Sequence, residues 1–118
     1  MVSGSGGING MMYYRGHPSV YDEWAELGNP GWSYKDVKQY FERAENPINR
    51  NLTIFDKFNT GNPLIIDQFP YQPPFADELL KAASELGYIT TGMREYNYTG
   101  FSKAPILVQN GERGTTSR

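Results

Sequence analysis

The sequence has no cysteine, which excludes a disulfide framework and any thiolate metal site. Lys and Arg never occur side by side, and the formal net charge is −2. Binding of nucleic acid by counterion release needs a clustered basic face, and this chain offers none. No apolar run approaches the roughly 20 residues that span a bilayer. The opening residues Met1-Val2-Ser3-Gly4 have neither a basic n-region nor an apolar h-region, so this segment carries no signal peptide. If a longer chain precedes it, that absence says nothing about the parent.

Apolar residues are also scarce, at 38% of 118. One domain fits this length, and two good cores do not. Aromatics supply 14%, so much of the core must be Tyr, Phe and Trp, whose polar tips need partners. Thirteen Gly and eight Pro cut the chain into short pieces. This composition suits a segment that completes its packing against something else. Two sequons, at Asn51 and Asn97, permit N-glycosylation in a secretory compartment.

Local signals predict an α+β chain of three short-to-medium helices and a few short strands. Ser19 reads as an N-cap with Asp22 in the box position, and Val20, Trp24 and Leu27 share a face ended by Gly28. Ser33 opens a second helix with Asp36 in the box position; Tyr34, Val37, Phe41 and Ala44 form its stripe, and Asn46-Pro47 stops it. Residues 46–62 read as a polar, irregular surface loop. The run Pro63–Asp67 (PLIID) predicts a strand. Phe75, Leu79, Ala82, Ala83 and Leu86 mark a third helix, with Gly87 at C′. Tyr88–Thr90 is a short strand candidate. Ile106–Gln109 is another, followed by the hairpin signal Asn110-Gly111 and a return strand over Glu112–Ser117. That return strand runs to the last residue, and a glycine-rich loop opens the chain with no strand before it. Both ends therefore read as cut.

Residues 3–10, SGSGGING, are the chemically suggestive stretch. Closely spaced glycines let backbone approach a ligand and turn N–H groups toward anionic oxygens. They do not make the dinucleotide fingerprint, since Asn9 stands where a third Gly or Ala belongs. On composition alone a flexible surface loop or a frayed terminus is the plainer reading.

Together with residues 11–45, this loop resembles the flavin-attachment region of the glucose–methanol–choline (GMC) oxidoreductases. The resemblance rests on Ser5 to Asn9, Gly10-Met11, Tyr13, Arg15-Gly16, Tyr21-Asp22-x-Trp24, Gly31-Trp32-Ser33-Tyr34 and Tyr40-Phe41…Glu45, in order and at matching spacing. Met11-Met12 and Asn29-Pro30 look most like the insect glucose-dehydrogenase-like branch. Gly61-x-Pro63-Leu64, Phe75…Ala82…Gly87, Gly100-Phe101 and Asn110-Gly111-x-Arg113…Ser117 extend the likeness over the whole chain, as an interior slice.

What the resemblance implies is an FAD-dependent oxidoreductase acting on the CH–OH group of an alcohol or sugar. Carried over by position, Gly4, Ser5, Asn9, Gly10 and Met12 are the expected FAD contacts. The residues alone also allow Asn9 to be a simple turn former. Ser3 departs from the family, which has the first Gly of a pair there, and a required φ > 0 would strain it. Residues 1–46 are expected to belong to the FAD-binding domain and 47–118 to begin the substrate-binding part. The family's dinucleotide motif would lie upstream and its catalytic histidine downstream, so the remainder of a parent chain is needed. His17, in a turn after the loop, reads as a solvated residue, and no catalytic residue is assigned. The alternative reading is a short, non-catalytic homologue acting as a binding or dimerisation module.

Overall fold

A computed structural model describes residues 4–50, 52, 55, 61–90 and 99–114. Ser3 and the sequon residues Asn51 and Asn97 lie outside them. Among the described residues a 3-10 turn, Gly4–Gly7, precedes three α-helices: α1 (Pro18–Glu26), α2 (Tyr34–Ala44) and α3 (Pro74–Glu85). The strands are β1 (Glu45–Pro47), β2 (Leu64–Gln68), β3 (Pro105–Ile106), β4 (Val108–Gln109) and β5 (Glu112–Arg113). The α+β expectation holds.

Helix α1 starts earlier than its sequence suggests, at Pro18. Proline lacks an N–H and suits the first helical position. His17 therefore becomes the N-cap in place of Ser19, its Nδ1 accepting from the Ser19 N–H at 3.1 Å. Asp22 does not close a capping box. Its Oδ1 accepts from the Tyr34 N–H at 2.9 Å and so ties α1 to the start of α2. Gly28, at φ +96°, follows the helix as expected.

At α2 the expected cap forms: the Ser33 side chain accepts from the Asp36 N–H and donates to its carboxylate at 2.6 Å. Tyr34 is buried, and Tyr21 packs edge-on to Phe41 with centroids 5.8 Å apart. The stripe assigned to α1 is not covered, since Val20, Trp24 and Leu27 are exposed.

At the end of α2 the backbone turns extended at Glu45, which opens β1 with no loop between. The Asn62 Nδ2 donates to the carbonyls of Glu42 and Glu45 at 3.0 and 2.9 Å. It thereby satisfies carbonyls that a helix end leaves orphaned. The sheet runs β1-β2-β3, with β1 parallel and β3 antiparallel to β2. Pro47 and Pro105 occupy only the edge strands, as a missing N–H requires. Central Ile66 and its neighbour Ile106 are fully buried.

The described residues of 46–62 depart from the surface loop that their polarity suggests, since Asn46 and Pro47 belong to β1. Leu52 and Phe55 are buried with Tyr13 and Ile66 in the core, and Leu64 and Leu107 pack against them. The Phe55 N–H donates to the Leu52 carbonyl at 3.3 Å, which holds these two buried residues together.

Helix α3 ends in a Schellman motif: Gly87 (φ +84°) donates to Ser84 and Tyr88 to Ala83. Its apolar stripe exists but faces outward, with only Ala83 buried and Phe75, Leu79 and Leu86 exposed. Tyr88–Thr90 forms no strand, although the Ile89 carbonyl accepts from the Phe101 N–H at 2.8 Å. The Ile106–Gln109 candidate divides in two. Ile106 pairs with β2, while Val108 and Gln109 pair with Arg113 and Glu112 across the Asn110-Gly111 turn. Both turn residues have positive φ, 52° and 80°, the signature of a type I′ hairpin. The end of the expected return strand, residues 115–117, lies outside the described residues.

Candidate flavin-loop site

The glycine loop folds on itself before joining the sheet. The Ser5 carbonyl accepts from the N–H groups of Ile8 (3.1 Å) and Asn9 (2.9 Å). Asn9 Oδ1 then accepts from the Met11 N–H at 2.9 Å, an Asx-type turn. Met11 adopts φ +63°, a left-handed conformation that costs a non-glycine residue about 1–2 kcal/mol. Its carbonyl is held by the Leu107 N–H at 2.8 Å, and the Tyr13 N–H donates to Pro105 at 2.9 Å. Met12 bridges Ile106 between these bonds, so the loop leaves alongside the outer edge of β3.

All five residues expected at the cofactor, Gly4, Ser5, Asn9, Gly10 and Met12, are exposed along this one loop. A Cβ added at Gly4 or Gly6 would meet nothing within 4 Å, and one at Gly10 would meet only the Met12 methyl at 3.9 Å. At these three positions the loop presents bare backbone, as close approach by a ligand requires. Gly6 also lines an apolar groove of about 600 Å³ with Leu64, Ile65, Leu107 and Val108. These residues fit a cofactor that lies along backbone. Asn9 is a turn former as well, since its side chain shapes the loop it belongs to.

Two features of the site escape a reading of the sequence. The first is the contact made by Arg113, a residue of the family likeness, whose Nη1 donates to the Asn9 carbonyl at 2.7 Å and to Asn9 Oδ1 at 2.9 Å, with the Gly6 carbonyl at 3.4 Å. Arg113 is 104 residues from Asn9, and no local pattern connects them. The second is a buried cluster just after the loop. Arg15 grips Glu45 with two parallel bonds, Nε to Oε1 at 2.6 Å and Nη2 to Oε2 at 2.5 Å. The Tyr13 hydroxyl donates to the same carboxylate, and the Tyr21 hydroxyl to the Arg15 carbonyl. All four residues stand in the pattern that suggested the family, but nothing in their spacing says that they meet.

Burial, and then the bond to Glu45, push the Tyr13 hydroxyl well above the usual tyrosine range. Burial also works against the charge of Arg15. The hydrogen bonds and negative charge of Glu45, helped by Tyr34, outweigh it and raise the guanidinium further. The side chains are only 10% and 3% exposed, so the pair is screened little by solvent. The guanidinium also lies 5.5 Å from the Phe55 ring centroid. The cluster is structural: it fixes the chain just after the loop to the junction of α2 and β1.

His17 is exposed, and its Nδ1 serves the cap of α1 and lies 2.7 Å from Ser19 Oγ. No group of three His, Cys, Asp or Glu capable of holding a metal ion occurs among the described residues. No described helix is long and apolar enough to cross a membrane.

The family model for GMC oxidoreductase matches residues 1–118. Glucose dehydrogenase [FAD, quinone] of Drosophila pseudoobscura pseudoobscura is 38% identical over 118 residues, covering 100% of this chain and 19% of the relative. Oxygen-dependent choline dehydrogenase of Vibrio vulnificus is 36% identical over 122 residues, covering 99% and 21%. Among solved structures, an FAD-dependent oxidoreductase from Chaetomium thermophilum superposes with a TM-score of 0.73 at 25% identity. That match covers 94% of this chain and 21% of that one. The chain therefore spans about a fifth of the length of the relatives it matches.

Proposed function

Because the chain belongs to the GMC oxidoreductase family, we propose that it forms the flavin-loop part of an FAD-dependent oxidoreductase acting on the CH–OH group of an alcohol or sugar. The observation that carries this reading is the loop of residues 4–12, open at Gly4, Gly6 and Gly10 and bonded to the strand region through Met11 and Leu107. Gly4, Ser5, Asn9, Gly10 and Met12 hold the FAD, orienting it through backbone and small polar groups. FAD, when bound, supplies the hydride acceptor.

Removing the hydroxyl proton of a substrate needs a base beside the reacting atoms. Neither His17, which caps a helix, nor the Tyr13–Arg15–Glu45 cluster, which is committed to its own bonds, is available for that task. Catalysis therefore needs the remainder of a parent chain. Residues 1–46 belong to its FAD-binding part and residues 47–118 begin its substrate-binding part. Strand β1 straddles that division and pairs with β2, so the two parts share one sheet.

The test is purification of the longest polypeptide encoded with this segment, followed by incubation with FAD, desalting and visible absorption. About one equivalent of retained flavin, reduced on addition of an alcohol or sugar, is the expected result. A colourless protein with no such reduction would overturn the reading, and a colourless stable dimer would favour the non-catalytic module.

A further inference from the structure

We propose that Arg113 is a positioning residue for the flavin loop, setting the backbone shape in which residues 4–12 meet the cofactor. The inference rests on the FAD-binding reading above and adds a residue that the loop's own sequence does not contain.

One guanidinium nitrogen reaches three oxygens of the loop: the Asn9 carbonyl, Asn9 Oδ1 and, at the limit of bonding distance, the Gly6 carbonyl. Bonds from a cation to carbonyl oxygens are charge-assisted and stronger than neutral ones. They act where the backbone is under strain, because Asn9 Oδ1 also holds the N–H of Met11, the residue at φ +63°. A left-handed non-glycine persists only where its surroundings over-determine it. Here Arg113 and Asn9 hold it from one side and the Leu107 N–H from the other.

The position of Arg113 is itself fixed. It pairs with Val108 in a hairpin closed by two positive-φ residues, and the next N–H, of Gly114, donates to the Leu107 carbonyl at 2.8 Å. Leu107 thus anchors both the hairpin and Met11.

The electrostatic consequence concerns an anionic ligand. Carbonyl oxygens turned toward a pyrophosphate would repel it. Arg113 draws those of Gly6 and Asn9 to itself and offsets their partial negative charge. Gly4, Gly6 and Gly10 remain open for close approach. Arg113 acts through the loop and needs no contact with FAD.

The test uses the longest polypeptide that carries this segment, in wild-type, Arg113→Ala and Arg113→Lys forms. Three quantities are read: FAD affinity by flavin fluorescence, visible circular dichroism of the bound flavin, and the thermal transition of the apoprotein. Loss of charge-assisted bonds predicts a weakening of FAD affinity of about tenfold or more in Arg113→Ala. The flavin dichroism changes while the apoprotein still melts cooperatively. Arg113→Lys, which keeps the charge on a shorter side chain than the one that places Nη1, recovers part of the affinity. If Arg113→Ala does not fold, Arg113→Lys decides alone, with altered dichroism and weaker binding supporting the role. Wild-type affinity and dichroism in the folded variants would overturn the positioning role only. Failure of the wild-type protein itself to bind FAD would overturn the reading beneath it.

Discussion

Glu45 receives three donors from two side chains, and the two have unequal claims on it. Removing the Tyr13 hydroxyl leaves the carboxylate still gripped by Arg15. Tyr13→Phe should therefore cost about 1–2 kcal/mol. Arg15→Ala leaves a buried carboxylate without its counter-charge and should cost about 3–5 kcal/mol. Denaturant midpoints of the two variants, measured in the protein that carries this chain, decide between them; equal losses would mean that the ion pair is not the main element. The same cluster sets an alkaline limit. Tyr13, by burial and its bond to Glu45, and Tyr21, by burial, keep their protons to higher pH when folded than when unfolded. The unfolded state binds fewer protons above its tyrosine pKa of about 10, so their stabilisation is complete below that pH and is lost as pH rises past it. The wild-type stability curve should fall above about pH 10, and that of Tyr13→Phe should fall less steeply.

At the scale of elements, the caps and turns are local devices and respond to local substitutions. Ser33 satisfies the Asp36 N–H and donates to the Asp36 carboxylate in the first turn of α2. Ser33→Ala should lower stability by about 1 kcal/mol. Because α2 leads straight into β1, the loss should appear in the global unfolding transition rather than as fraying alone. The β4–β5 hairpin depends on Gly111 at φ +80°. Gly111→Ala forces an L side chain into the left-handed region at about 1–2 kcal/mol. Hydrogen exchange should then quicken at the Gly114 amide while the Ile66 amide in the central strand keeps its protection. Uniform loss of protection at both would refute the view that the hairpin opens by itself.

For the whole molecule, the exposed surface is 8143 Å², against about 6,500 Å² for a compact monomer of this mass. The radius of gyration is 15.8 Å, against about 13.5 Å for a compact chain of this length. Ile8, Leu27, Tyr71, Phe75 and Leu86 are each more than two-thirds exposed. The 118-residue chain expressed by itself should therefore bind a hydrophobic dye, unfold over a broad temperature range and tend to aggregate. A sharp, cooperative transition with well-dispersed amide resonances would contradict this expectation.

What the sequence determined by itself is what depends on neighbours three or four residues apart. The Ser33 cap, the Schellman end at Gly87, the PLIID strand and the Asn110-Gly111 turn are of this kind, as is the order of motifs that marks the family. Only tertiary structure decided which apolar faces are covered. The stripes of α1 and α3 were correctly spaced, yet Trp24 and Phe75 face outward, while Leu52 and Phe55 entered the core from a stretch that reads as polar. Tertiary structure also decided that Tyr13 and Arg15 meet at Glu45, and that Arg113 closes on Asn9 across 104 residues. Periodicity tells which face of an element is apolar, but not what lies opposite it. A hydrogen bond between distant residues depends on where the sheet brings their strands, and no local preference encodes that.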